Sequence, residues 1–291
     1  MSIADLPASL VSVEWLANAL QTNSDDAKED ILVLDASWHL PTANRNAEAE
    51  YVLARIPGAR FFDFDTRICD RESSLPHMMP DPELFTTELQ GLGLNADSLV
   101  IVYDSVGVFS SPRAWWMLQA MGHRHSAVLD GGLPAWKAAG LALDNNPPLQ
   151  YLPRGNFTAH YHPEMISDWK TVLLATTTAG THIIDARSAD RFHARAPEPR
   201  PGLRGGHIPG ARNLPFEQLL DKGCFRSTAQ LREILQQLAP LDSHLIATCG
   251  SGVTACIVAF AAHLAGYSDI SVYDGAWAEW GAGNSLPVVV D

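Results

Sequence analysis

Four stretches of this chain occur twice, in the same order and at nearly constant spacing. LVLDASW (32–38) returns as HIIDARS (182–188), and RIPGARFF (55–62) as HIPGARNL (207–214). LVIVYDSVG (99–107) returns as HLIATCGSG (244–252), and VLDGGLPAW (128–136) as VYDGAWAEW (272–280). Ordered self-similarity of this kind marks tandem duplication, which constrains the chain to one architecture folded twice. Its 291 residues suit about two domains of roughly 150 residues each. With 46% hydrophobic residues, each half can bury its own core.

Each half alternates short apolar, β-rich runs with helical patterns. The runs predict strands at 31–34, 59–62, 99–103 and 127–129, and again at 182–184, 211–214, 245–248 and 270–273. Helices are predicted at 12–20, 82–92, 112–121, 227–238 and 253–265. The expected class is therefore α/β: two tandem domains, each a mostly parallel sheet with helices on both faces. LDNNPPLQYLPRGNF (143–157), with paired Asn and paired Pro, reads as an extended connector. It separates a first domain at 8–145 from a second at 160–288.

The formal net charge is −13, from 20 Lys and Arg against 33 Asp and Glu. That argues against nucleic acid as a partner, because neutralising phosphates needs clustered basic residues. It leaves room for a local basic pocket that takes a small anion. No basic run precedes the apolar residues of the amino terminus, and Glu14 interrupts them, so neither a secretory leader nor a membrane span is expected. Cys69, Cys224, Cys249 and Cys256 form no CxxC and no zinc-ligand spacing, so no metal is expected. So few cysteines fit free thiols in a reducing compartment, and the expected location is the cytoplasm. Cys69 and Cys224 fall in loop-like stretches where either thiol can be exposed.

One cysteine stands apart. TCGSGVTA (248–255) follows an apolar run and precedes a helical pattern, which puts Cys249 beyond the carboxyl end of a parallel strand, where ligands of such sheets bind. Gly250 and Gly252 let the backbone wrap close to the sulfur. Successive amides of Gly250, Ser251, Gly252, Val253 and Thr254 can turn inward as an anion nest, and the following helix adds its positive end. Such a field favours a thiolate, and the loop has room for a persulfide. The plainer reading is a buried structural cysteine, as Cys256 is expected to be within its helix. Phosphoryl transfer is disfavoured, because the position where a phosphatase loop needs its arginine holds Ala255.

DARSADRFHARAPEPRPGLRGGHIPGARN (185–213) carries six arginines. They suit either an anion pocket, through bidentate guanidinium contacts, or a solvated loop tied by ion pairs to Asp185, Asp190 and Glu198. Trp115 and Trp116 are expected to pack in the core.

Together these features resemble the two-domain sulfurtransferases of the rhodanese superfamily. The marks are the tandem halves, IPGA in each near-copy (after His207 in the second, Arg55 in the first), and a cysteine loop in the second half only. CGSGVTA is similar to the loop of members that use 3-mercaptopyruvate; thiosulfate-specific members carry charged residues after the cysteine, where this chain has Gly250 and Ser251. The resemblance implies a non-catalytic first domain, with Asp104 at the nucleophile position, closing over the loop of a catalytic second domain. It implies transfer of sulfane sulfur from 3-mercaptopyruvate through a Cys249 persulfide, with pyruvate released. The acceptor is a thiol, such as thioredoxin or a low-molecular-weight thiol, or cyanide, and no organic cofactor is implied. Arg191 and Arg200 match the family's donor-binding arginines, and Arg187 is expected to be structural. FDFD (62–65) and HMMP (77–80) match its pattern for an Asp–His–Ser proton relay, here Asp65, His77 and Ser251. The alternatives are a thiosulfate:cyanide sulfurtransferase and a catalytically idle binding module of the same fold.

Overall fold

The structure, a computed structural model, describes residues 6, 8–22, 31–149 and 151–291. Residues 1–5, part of the stretch read for a leader, and Gln150 of the expected connector lie outside the described residues. The chain divides into two compact units. The first comprises Met1–Arg71, Pro80–Tyr161 and Lys222–Cys224; the second comprises Glu72–Met79, His162–Asp221 and Phe225–Asp291.

In the first unit, β1 (Leu10–Val11), α1 (Val13–Thr22), β2 (Ile31–Asp35), α2 (Ala47–Leu53) and β3 (Arg60–Phe61) are followed by α3 (Pro82–Gly91), β4 (Leu99–Tyr103), α4 (Ser111–Ala120), β5 (Ser126–Leu129) and α5 (Gly132–Ala138). The strands lie in the order β1-β5-β4-β2-β3, every pairing parallel. ILVLD and LVIVY form the central strands because a parallel strand covered on both faces needs an unbroken apolar run. One side of the sheet packs Leu16, Val33, Ile101, Tyr103, Leu129 and Trp136 into a buried cluster. Helix α3 starts where it does because the Asp81 carboxylate accepts the amides of Glu83 and Leu84, with Pro82 in the first turn. Phe157 of the expected connector donates its amide to the Leu94 carbonyl, and His160, the first residue of the expected second domain, falls in this unit and donates to that of Met121.

The second unit repeats the plan. It contains β6 (Ile166–Ser167), α6 (Trp169–Ala175), β7 (Thr181–Asp185), α7 (Ala189–Phe192), β8 (Arg212–Asn213) and β9 (Leu220–Asp221), and β10 (Cys224–Phe225) follows, with Phe225 in this unit. Then come α8 (Thr228–Gln236), β11 (His244–Thr248), α9 (Ala255–Ala265), β12 (Ile270–Tyr273) and α10 (Ala276–Trp280). The order β6-β12-β11-β7-β8, again all parallel, is that of the first sheet. Ser227 and Gln230 close a reciprocal capping box on α8, a device worth about 1 kcal/mol. Helix α9 is buried almost all round, as its ACIVAFAAHLA sequence dictates, and ends on Gly266 in the left-handed region.

β11 and β7 are neighbours, yet the chain leaves β11 toward β12 and β7 toward β8, in opposite directions across the sheet. That reversal opens a crevice at their carboxyl ends, where ligands bind in sheets of this kind. The strands predicted at 31–34, 99–103, 245–248 and 270–273 are present to within a residue. Unforeseen were the two-residue edge strands β1 and β6 and the short helices α2, α5, α6, α7 and α10, all too brief to establish a period. Helix α9 begins at Ala255 rather than 253, because residues 250–254 are spent on the loop.

Candidate active site

The loop after β11 is held by its carbonyls. Ala186 donates its amide to the Thr248 oxygen (2.8 Å), Trp277 to that of Cys249 (2.9 Å) and Ala278 to that of Gly250 (3.0 Å). The first unit has two of these three anchors, Ala36 donating to Tyr103 (2.8 Å) and Leu133 to Asp104 (3.0 Å); the third falls on Pro134, which has no N–H. Gly252 and its counterpart Gly107 both take positive φ, 78° and 128°. Ala276 sits at φ 50°, rarely adopted by a residue with a Cβ, where the first unit places Gly132 at φ 51°. The two loops share two anchors and these left-handed turns and differ at their ends, where the Ser111 amide donates to Asp104 while that of its counterpart Cys256 donates to the Val253 carbonyl.

The first loop therefore shows what this path is built to hold. The Asp104 side chain is fully buried, and its carboxylate accepts five amides: Val106 (3.0 Å), Gly107 (3.1 Å), Phe109 (2.8 Å), Ser110 (3.0 Å) and Ser111 (2.9 Å). The Ser111 hydroxyl adds a sixth bond at 2.7 Å. This is an amide nest wrapped around an anion. In the second unit Cys249 stands at that position, 2% exposed, with Ser251 and Val253 also buried. None of the amides of residues 250–255 donates to a protein acceptor among the described residues.

The arginine-rich segment resolves into distinct roles. Arg187, fully buried, forks onto Asp185 (Nη2 to Oδ2 2.6 Å, Nε to Oδ2 3.0 Å), reaches Glu198 Oε1 (2.8 Å) and donates to the Gly206 carbonyl (2.9 Å). It is structural, as expected. Arg204 caps the carbonyls of Trp280, Gly281 and Leu286, and Arg195 pairs with Asp190 at the surface. Arg191 is partly exposed, pairs with Glu198 (Nη2 to Oε2 2.5 Å) and lies against Gly250. One of the two expected donor-binding arginines thus stands beside the cysteine loop.

The other, Arg200, meets His77. The segment Glu72–Met79 packs with the second unit, and the Met79 amide donates to the buried Asp274 carboxylate at 2.7 Å. His77, buried and held at φ 61°, places Nε2 3.5 Å from Arg200 Nη2. Backbone strain of this kind gathers at functional sites. The Ser251 hydroxyl makes no hydrogen bond among the described residues, and Asp65 is an exposed residue of the first unit whose carbonyl accepts the Cys69 thiol at 3.3 Å.

Among the described residues none of the four cysteines is in a disulfide. Cys69 lies in a loop, as its sequence reads, but is buried rather than exposed, and burial pushes its thiol above the ordinary range. Cys224 is half-buried, and Cys256 lies in the core of α9 with its thiol toward the Gly252 carbonyl (3.2 Å). Trp115 and Trp116 are core residues. Sequence reasoning missed Trp277, whose amide anchors Cys249 and whose ring underlies Arg187; the DGAW repeat was its only signal. It also treated Glu198 merely as an ion-pair partner. Among the described residues no helix is long and apolar enough to cross a membrane.

This pair of repeats, one with its nest occupied by a carboxylate and one presenting a thiol, defines the class. A family model of the rhodanese-like domain matches residues 12–139 and 168–282, and the chain belongs to that family. It is 42% identical to the 3-mercaptopyruvate sulfurtransferase of Escherichia coli K12 over 280 residues, 96% of each chain. It is 39% identical to 3-mercaptopyruvate sulfurtransferase of Homo sapiens over 284 residues, 96% of this chain and 94% of the relative. Its fold is similar to the crystal structure of the 3-mercaptopyruvate sulfotransferase SseA from Escherichia coli, with a TM-score of 0.82 and 39% identity, covering 93% of this chain and 99% of that one.

Proposed function

We propose that this chain transfers sulfane sulfur from 3-mercaptopyruvate to a thiol acceptor through a persulfide on Cys249. The observation that carries the reading is the Asp104 loop: it holds a carboxylate with five amides, and the corresponding loop of the second unit presents Cys249 at that position. The relatives' shared activity supports the choice of donor.

The Cys249 thiolate attacks the donor sulfur. A sulfur–sulfur bond forms, the carbon–sulfur bond breaks, and its electron pair leaves as the enolate of pyruvate. The proton of the donor thiol moves to that carbon, giving pyruvate and an anionic persulfide. An acceptor thiolate, from a small thiol or a protein such as thioredoxin, or cyanide, then takes the outer sulfur and regenerates the Cys249 thiolate. The order is ping-pong. Arg191 and Arg200 bind the donor carboxylate and keto oxygen, favouring the charge that develops there. Asp65, His77 and Ser251 form the proton relay of the same reading. The amides of residues 250–255 stabilise the persulfide anion. A cytoplasmic location belongs to this reading, in keeping with only four cysteines in so long a chain.

Intact-protein mass spectrometry after 3-mercaptopyruvate, repeated with thiosulfate, tests it. The expected result is a gain of one sulfur atom on Cys249 with an equivalent of pyruvate released. A gain with thiosulfate alone would reassign the donor. No gain with either would leave a binding module.

A further inference from the structure

Glu198 grips the Arg191 guanidinium side-on, with Nη2 on Oε2 at 2.5 Å and Nε on Oε1 at 3.3 Å. That uses one edge of the guanidinium and leaves the Nη1 edge to take a second carboxylate as a fork. Glu198 cannot follow a ligand, because its Oε1 also accepts Arg187 Nη1 at 2.8 Å and its side chain is only 2% exposed. Arg187 is fixed in turn by Asp185, the Gly206 carbonyl and the Trp277 ring. The brace therefore runs from the core of the second unit to one partly exposed arginine.

That arginine occupies a particular volume. A Cβ placed on Gly250 would lie 2.7 Å from Arg191 Nη2, closer than such atoms approach. Gly250 does not take positive φ, so a side chain there meets no backbone strain. The one obstacle is the guanidinium. The first unit offers a comparison: Ser105 stands at the matching loop position, and an arginine held by a glutamate, Arg45 on Glu50, stays back with Nη2 3.4 Å from the Ser105 hydroxyl.

We propose that Glu198 is a positioning residue that braces Arg191 against the sulfur loop, in the space that exists because residue 250 has no side chain. The inference deepens the donor-binding reading given above and rests on it. Ordering the arginine during folding spares that cost when an oxo-acid anion binds. It also makes residue 250 act on the donor through Arg191, not through the backbone of the loop.

The test is a pair of double-mutant cycles in the full chain: Glu198→Gln and Gly250→Ala, each made in the parent and in Arg191→Ala. The readouts are KM and kcat for 3-mercaptopyruvate, the Kd for pyruvate by calorimetry, and the Tm. In the parent, each substitution is expected to raise KM and the pyruvate Kd on the order of tenfold, with kcat changed far less. In the Arg191→Ala background both effects are expected to fall below about twofold, the non-additivity of groups acting as one. Equal effects in the two backgrounds would overturn the brace. Since Gly250 lies outside the ion cluster, its cycle decides even if Glu198→Gln lowers the Tm. Pyruvate binding needs no sulfur transfer, so it reads the brace even if the parent gains no sulfur from the donor; that second failure would sink the function and not the geometry.

Discussion

The Arg187 guanidinium lies 4.1 Å from the centre of the Trp277 ring, inside the second unit. The same tryptophan donates its amide to the Cys249 carbonyl, so one residue supports both the buried charge and the sulfur loop. Arg187 neutralises two carboxylates, Asp185 and Glu198, whose side chains are 1% and 2% exposed. Replacing it with Met removes the only cation that reaches both among the described residues. Arg187→Met is expected to cost about 3–5 kcal/mol in urea unfolding, since it strands buried charge. Arg187→Lys should recover only part, because an ammonium cannot fork onto Asp185 while reaching Glu198 and Gly206. A loss under about 1 kcal/mol for the Met variant would show that the carboxylates find other partners.

Cys249 and Cys256 are both buried thiols seven positions apart, yet they should separate cleanly. Cys249→Ser is expected to gain no sulfur in mass spectrometry while keeping the parent's unfolding midpoint. Cys256→Ala, which empties a little volume inside α9, should cost about 1 kcal/mol and still transfer sulfur. Sulfur added to the Cys249→Ser chain would remove Cys249 as the carrier.

Asp104 makes the nest idea testable without any sulfur chemistry. Asp104→Ala leaves five amides without their acceptor and should destabilise the first unit by about 2–4 kcal/mol. An emptied nest should also bind inorganic phosphate, so added phosphate should raise the variant's Tm more than the parent's. Equal responses to phosphate would mean that the loop is held by packing and has no affinity for anions.

Two buried groups of the first unit titrate in opposite senses. Burial pushes the Asp35 carboxyl from 3.8 up to about 6, with hydrogen bonds from Ser37 and Tyr103 opposing and the nearby Asp104 charge adding. Burial, aided by His125, pushes His123 from 6.5 down to about 4. Between those values folded Asp35 binds more protons than the unfolded chain, so its contribution to stability falls as the pH rises through about 4 to 6. Folded His123 binds fewer, so its contribution rises with pH through about 4 to 6.5. Relative to the parent, Asp35→Asn should therefore lose more stability on acidification from pH about 6.5 to about 4, and His123→Phe less. Tm measured across that range checks both signs; curves parallel to the parent would contradict them.

Much of the site was legible before the fold. The apolar run ending at Thr248, the glycines at 250 and 252 and the helical pattern after them are local features, and local features survive in a sequence. So does the duplication, which foretold that Asp104 would occupy the place of Cys249. The rest was not legible, for a physical reason in each case. Glu198 lies among prolines and arginines, where a solvated ion pair reads the same as a buried brace. His77 and Arg200 are 123 positions apart, and the segment carrying His77 packs with the unit opposite to its place in the chain order. Strands β1 and β6, two residues each, are defined by pairing partners and not by any pattern of their own.

By itself, then, the sequence determined that one parallel α/β plan is built twice and that a single thiol ends a central strand. Backbone propensity and hydrophobic period are properties of contiguous residues, and they suffice for that. Which carboxylate holds which arginine, and which of them stands against Gly250, was decided by tertiary structure alone. Those pairings depend on strand order and on which charges lose their water, and neither quantity is written in the spacing of residues along the chain.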